Sequence, residues 1–543
     1  MIDISVLQKA IKLGAEGKYE EAEQLYTELL EKYPDESALF AAAGLFNVSI
    51  KKYEKAVLYL KRACELKETL GSVAALGFVQ FECKDYAGAA STLEHALKFG
   101  DNIDVYHKLI LSLFEIRYYS KAIEYTDKMN ELFPGTSKAV ANKVKALTKT
   151  GQLMDAKHVC TEYLKKNPND PVMWYHLGLL KELIYSDEKQ AIECYKLAGE
   201  NGDNSADYNI AVSYQKLGQY EKAEEYYKQY LQNHPENENA KISLGLCYLT
   251  QKRFKEGYDL LYQRTVGLAK NYTKNLWKPG TPLSDELVVI CDQGLGDRIQ
   301  FIRYLPFLAA EHKVKVAVSD NLIDLFRSNY PNIEFIDYKD IDPEMTALRV
   351  TDLAYVLNMD FDNIPTPEGY LDIEPAQIEN EKLKVGLCWE AGASGLRGMI
   401  NRTIHVKVFE KFLNLENIQP YSFQYDDTFK GNEKYPQMIN LAHDFKNLSD
   451  TASALKSMDV VITVDTVIAH LAGALGVKTY LLLPYAPDWR WFWKGRDENG
   501  NTDYLTETPW YKSVRIFMQK DNISWDEPID KIVELLKAGK TDL

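Results

Sequence analysis

A chain of 543 residues exceeds what one hydrophobic core organises, so two or three domains are expected. A formal charge of −15 at pH 7 argues against a nucleic-acid backbone as partner, because phosphate contacts need basic surface. With 46% hydrophobic residues and no apolar run of about 18, no membrane span is expected. Seven cysteines without paired spacing read as buried thiols of a reducing, cytoplasmic compartment, not as a disulfide framework or zinc ligand set. The opening MIDISVLQKAIKLG reads as a helix that lacks the layout of a signal peptide.

From the start to about residue 265 a helical hairpin repeats. Its ruler is a small residue at the hairpin crossing: Ala22, Ala56, Ala89, Ala122, Ala156, Ala191, Ala223 and Gly257, at steps of 34, 33, 33, 34, 35, 32 and 34 residues. Three residues earlier stands an aromatic one: Tyr19, Tyr53, Tyr86, Tyr119, Tyr220 and Phe254. Gly44, Gly77 and Gly245 lie twelve before the ruler, and Gly178 one further back. Pro34, Pro134, Pro168 and Pro235 lie twelve after it, where a residue that cannot continue a helix ends the second one. The period is that of the tetratricopeptide repeat, whose helix pairs bury their faces only by stacking on neighbours. About eight hairpins forming an α-solenoid are expected over 1–265.

Past Pro279, Gly280 and Pro282 the pattern changes to short β-branched runs alternating with amphipathic helices, the mark of βαβ units and parallel sheets. The expected strands are Leu287–Cys291, Val314–Ser319, Ile333–Tyr338, Val385–Trp389, Gln419–Gln424, Val460–Val464, Thr479–Leu483 and Val514–Met518. The irregular stretch Phe361–Glu374 divides them into two Rossmann-like lobes, 266–375 and 376–543, with a cleft between them.

Three places carry possible chemistry. In CDQGLGDRIQ a strand runs into Asp292, Gln293, Gly294 and Gly296, and a helix begins near Asp297; glycines let backbone approach a ligand, and a helix start offers free N–H groups. Asp297 reads both as a helix cap and as an acid projecting into the cleft. In VVITVDTVIAHLAGALG a buried strand meets Asp465, Thr466 and Val467 at a helix start suited to a diphosphate, with His470 one turn on and Gly476 as terminator. A lone histidine there is more often packed than reactive. The basic stretch Arg397–Lys407 follows the strand ending at Trp389 and includes Arg402. The aromatic run Tyr485–Trp493, with Asp488 and Trp489, suits either a sugar face or packing between lobes.

QGLGD, RTI, DTVIAHLAGALG and LLPYAPDWRW, in that order, resemble the bacterial tetratricopeptide-repeat glycosyltransferases. Their transferase half is similar to the family 9 heptosyltransferases, and the layout is similar to that of the O-linked N-acetylglucosamine transferases. The resemblance implies a GT-B fold, with the acceptor on the first lobe and a nucleotide-diphosphate sugar on the second. It further implies Asp297 as catalytic base, Asp465, Thr466 and Val467 at the diphosphate, and Arg402 where relatives place a lysine. Asp292 stands where many relatives carry glutamate, and Arg298 where a small or hydroxyl residue is usual.

The expected reaction is transfer of a sugar to a hydroxyl of a protein or peptide held along the repeats, without a metal. Asp340 and Asp342, and Asp360 and Asp362, match a bare Asp-x-Asp pattern but fall away from the expected diphosphate site. Two rival readings stand beside this one. One is a repeat scaffold with a non-catalytic nucleotide-binding half, and the other a transferase acting on a glycan or lipid-linked acceptor. Retention or inversion, the sugar and any homo-oligomer are left open.

Overall fold

The computed structural model describes residues 4–262, 268–365, 368–391, 402–425, 435–495, 506–520 and 524–539. Of the basic stretch Arg397–Lys407, positions 397–401 lie outside these. The chain divides into two compact units, Met1–Ala206 and Asp207–Leu543. The fold type changes near residue 265, but the division in compactness falls earlier, so the last hairpins belong with the sheets.

Six hairpins make the first unit. They pair Ile4–Ala15 with Tyr19–Lys32, Ser37–Ser49 with Tyr53–Leu66, Leu70–Glu82 with Tyr86–Ala96, Ile103–Glu115 with Tyr119–Leu132, Ser137–Lys149 with Leu153–Lys166, and Pro171–Tyr185 with Glu188–Glu200. Two more, Ala206–Lys216 with Tyr220–Asn233 and Glu238–Thr250 with Phe254–Tyr262, lead into the sheets. Each ruler alanine from Ala22 to Ala223 is fully buried. The glycines twelve or thirteen before the ruler have a steric reason. A methyl on Gly44 would stand 2.6 Å from Leu60, on Gly77 2.6 Å from Leu93, and on Gly178 2.7 Å from Tyr195, each on the second helix of the same hairpin. Only a residue without a side chain lets the helices approach that closely. Second helices end at Lys32, Leu132, Lys166 and Asn233, two residues ahead of the four prolines.

Beyond the repeats stand two sheets. The first has the order β3-β2-β1-β4, all parallel, with β1 Glu286–Ile290, β2 Lys313–Ala317, β3 Glu334–Ile336 and β4 Ala347–Arg349. The second has the order β10-β11-β9-β8-β5-β6-β7, with β5 Leu383–Cys388, β6 Ile418–Ser422, β7 Ile439–Asn440, β8 Val460–Val464, β9 Thr479–Leu483, β10 Glu507–Thr508 and β11 Tyr511–Met518. All of its pairs are parallel except β10 with β11. β1, β8 and β9 are buried along nearly their whole length, as expected of strands covered on both faces.

All eight expected strands are present. Three further strands, β4, β7 and β10, are two or three residues long and too short to show a period in the sequence. β4 also ends on Arg349, a residue that argues against a core strand; here the guanidinium is buried because Asp352 accepts from its Nε at 2.6 Å. Among the described residues no helix is long and apolar enough to cross a membrane.

Candidate functional site

In open parallel sheets a ligand binds beyond the strands' carboxyl ends, where neighbouring strands lead their connections to opposite sides. In the first sheet β1 lies between β2 and β4, and in the second β5 lies between β8 and β6. A cavity of about 1020 Å³ opens at those ends. Its wall takes Gly294, Leu295 and Gly296 from the turn after β1, Glu390 and Ala391 after β5, and Tyr425 after β6; Arg402 and Lys446 also line it, as do Asp465, Thr466 and Val467 after β8. Residues read from sequence as three separate motifs thus border one space.

The start of helix Val467–Ala474 shapes its second-lobe side. Thr466 caps this helix by accepting from the Ile468 N–H with its own hydroxyl at 3.2 Å. That occupies the Ile468 amide at the helix start; among the described residues the Thr466 and Val467 amides have no such internal acceptor. The helix ends as the sequence indicated. Gly476 has φ +72°, and a methyl there would lie 2.4 Å from the Glu368 carbonyl oxygen. Burial, and next the charge of Asp488, push the Asp465 carboxyl up to about 6, while Arg402 and Arg490 pull it the other way.

Asp297 lies in helix Leu295–Phe301, with a half-buried carboxylate. Its Oδ1 accepts from Nη2 of Arg490, a residue of the turn Trp489–Trp491 on the other lobe. Nη1 of the same guanidinium donates to Asp488 at 2.6 Å, and Nε donates to Gln300 at 3.0 Å. Arg490 had no role in the sequence reading, because nothing near it in the chain marks a partner 193 positions away.

His470 is one turn into its helix, as its position implied, but stands behind the cavity wall. Its Nδ1 shares a hydrogen bond of 2.9 Å with the Tyr511 hydroxyl, and its ring stacks on Trp491 with centroids 5.7 Å apart. Burial, then the nearby Arg490, push the imidazole down to about 3, so it is neutral at ordinary pH. His470, which the sequence also placed among the residues binding the donor phosphates, does not line the cavity and is held as a packed core residue instead.

The aromatic residues also pack. Trp489 lies under the Arg490 guanidinium and meets Trp510 edge to face, while Phe492 stacks on Phe254 of the last repeat. Trp389 joins the core around Phe409, away from the cleft. The Gln293 carbonyl accepts from Nε of Arg298 at 2.6 Å and holds that side chain beside the turn. Asp342 accepts from the Glu344 amide and Asp360 from the amides of Asp362 and Asn363, the work of turn residues.

Several wall residues escaped the sequence reading. Gln424 accepts through Oε1 from the Trp389 and Glu390 amides at 3.2 and 2.9 Å, tying the end of β5 to that of β6. Asn447 caps helix Leu448–Lys456, which therefore also begins at the cavity. The Asn447 cap before an apolar-periodic run was a readable helix-start signal; Gln424 offered none.

Residues 7–69 and 208–272 match the family model for the tetratricopeptide repeat. The hairpins between those two stretches repeat the same helix-pair form. The chain is similar to protein FlbA of Caulobacter vibrioides, 23% identical over 563 residues, covering 92% of this chain and 90% of that one. Among solved structures, a tetratricopeptide repeat protein from Parabacteroides merdae is 14% identical with a TM-score of 0.41, covering 45% of this chain and 97% of the other. Yeast Tom70 is 20% identical with a TM-score of 0.40, covering 46% of this chain and 55% of its own. Tetratricopeptide repeats as a class bind peptide or protein partners.

Proposed function

We propose that this protein is a glycosyltransferase of GT-B type that moves a sugar from a nucleotide-diphosphate donor to a hydroxyl of a protein or peptide acceptor. The observation that carries the reading is the shared cavity. One space meets the glycine turn beside Asp297, the Arg402 cation, and two helix starts, at Asn447 and at Thr466.

The chemistry follows from that arrangement. A leaving diphosphate is dianionic or more, and is stabilised by the Arg402 guanidinium and the Thr466 and Val467 amides. The attacking hydroxyl gives its proton to Asp297 as its oxygen bonds to the anomeric carbon and the bond to the phosphate oxygen breaks. The phosphate subsite is on the second lobe and the base on the first, so donor and acceptor approach from opposite sides of one cleft. The repeats supply the means to hold a polypeptide acceptor, and remote binding of that kind positions the reacting hydroxyl without altering the bond-making step.

The test is a panel of nucleotide sugars incubated with the full chain, followed by measurement of free nucleoside diphosphate, with and without protein from the cells that express it. Donor-dependent nucleotide release, raised by an acceptor protein that gains the mass of one sugar, is the expected result. Binding of nucleotide without any release would instead support the scaffold reading, and no binding at all would remove both.

A further inference from the structure

We infer that Arg490 is a positioning residue for Asp297: from the second lobe it holds one carboxylate oxygen of the first-lobe base so that the other is turned toward the Gly294 edge of the cavity. The inference rests on the glycosyltransferase reading.

Three observations lead there. The Arg490 guanidinium uses each of its edges: Nη2 on Asp297 Oδ1, Nη1 on Asp488 at 2.6 Å, Nε on Gln300 at 3.0 Å. Asp297 and Gln300 sit on one helix of the first lobe, so the contact ties that helix to the second lobe at two points. The fork is itself held, since the Arg490 carbonyl accepts from the Trp510 indole at 2.7 Å and the guanidinium lies over the Trp489 ring. With Oδ1 so engaged, Oδ2 of Asp297 is on the side of Gly294, where a methyl would lie 3.5 Å from it, and Gly294 is part of the cavity wall. A planar, always charged fork suits this task, as it fixes direction as well as distance. Neither Arg490 nor Asp297 is itself part of the cavity wall, but Asp297 Oδ2 adjoins that wall at Gly294, so an effect of Arg490 on a substrate would pass through Asp297.

This arrangement also ties base alignment to contact between the lobes. Parted lobes would leave Asp297 without its partner and its carboxylate free to rotate. Closed lobes set Oδ2 toward the attacking oxygen.

The experiment uses the full chain and the donor selected by the nucleotide-sugar panel, with water as acceptor. In that reaction the water oxygen bonds to the anomeric carbon, the phosphate leaves with the bonding pair, and the water proton passes to Asp297. Arg490→Met is expected to lower kcat about 10- to 100-fold while KM for the donor and the affinity for the product nucleoside diphosphate, read by calorimetry, change by less than about threefold. Arg490→Lys, which keeps the charge and loses the fork, should recover part of kcat. In an Asp297→Asn background Arg490→Met should cost nothing further. Loss of nucleotide affinity in step with kcat would make Arg490 a donor ligand and overturn the inference, as would an unchanged kcat. Should Arg490→Met fail to fold, as judged by circular dichroism, Arg490→Lys carries the same comparison of kcat against affinity. A wild-type protein that turns over no donor in the panel overturns the glycosyltransferase reading itself, and this inference with it. An active wild type with an unaffected Arg490 variant overturns the inference alone.

Discussion

Gly296 of the first lobe and His470 of the second are in such close approach that a methyl on Gly296 would stand 2.7 Å from Cδ2 of the imidazole. The ring has no room to retreat, since Tyr511 bonds its Nδ1 and Trp491 covers its face. This glycine is therefore required by contact between the lobes, whatever backbone approach to a ligand its turn also allows.

Gly296→Ala should accordingly destabilise the sheet-bearing unit by about 1–3 kcal/mol, the usual cost of overpacking a well-filled contact. Gly294→Ala, at an exposed position whose φ is −57°, should cost far less. Urea unfolding of both variants followed by tryptophan fluorescence checks this. Equal stability of the two would mean that the contact relaxes freely.

His470 makes stability depend on pH. Its folded-state pKa of about 3 lies below the ordinary 6.5, so the unfolded chain binds the extra proton as pH falls. The contribution is complete above about 6.5 and declines toward 3, by about 2 kcal/mol at pH 5. Asp465 works in the opposite sense, because its carboxyl is raised to about 6 and burying its charge costs stability as pH rises through that value. Arg490, Asp488, Arg303 and Arg402 also act on the imidazole. Asp465 Oδ1 stands 3.8 Å from its Nε2, so comparison with His470→Gln reads the histidine together with that neighbour: the stability gap between wild type and variant should change in the variant's favour by about 2 kcal/mol between pH 7 and pH 5. Parallel pH curves for the two proteins would contradict the buried neutral imidazole.

Asp297→Asn should lower donor turnover by about 100- to 10,000-fold, the range for loss of a general base. Nucleotide affinity should stay close to that of wild type, since the proposed phosphate subsite is on the other lobe. Turnover at the wild-type rate in this variant would take Asp297 out of the mechanism.

Arg402→Ala should weaken binding of the product nucleoside diphosphate by about 1.5–3 kcal/mol, as expected for a charge-assisted hydrogen bond. Calorimetry on the selected nucleotide reads the effect, and rising salt should narrow the difference. An unchanged dissociation constant would put the diphosphate elsewhere in the cavity.

The repeats offer a test of their own. Lys51, Lys84, Arg117 and Lys252 adopt positive φ at the turns inside their hairpins, where Gly17, Gly151 and Gly218 serve in others. The left-handed conformation costs a residue with a side chain about 1–2 kcal/mol, part of which glycine gives back as lost chain entropy. Lys84→Gly should thus stabilise the first unit by about 0.5–1 kcal/mol. A lower melting temperature for this variant would show that the exposed lysine makes a compensating contact.

What the sequence by itself determined is whatever depends on neighbours a few residues apart. Hairpin period, ruler alanines, helix-ending prolines, the eight longer strands and the Gly476 terminator were all legible, because each is set by local sterics or by one repeat touching the next. The sequence also showed which turns bear glycines, acids and a cation. Only the tertiary structure decided how those residues are used. It brought Gly294, Arg402 and Thr466 to one cavity, turned Trp389 and Trp489 into packing residues, and set His470 against Gly296. It also joined Asp297 to Arg490 and bound Gln424 to the end of β5. The reason is physical: these pairings join residues dozens to nearly two hundred positions apart, and a lone arginine or glutamine reads as solvated until folding removes the water and supplies the partner.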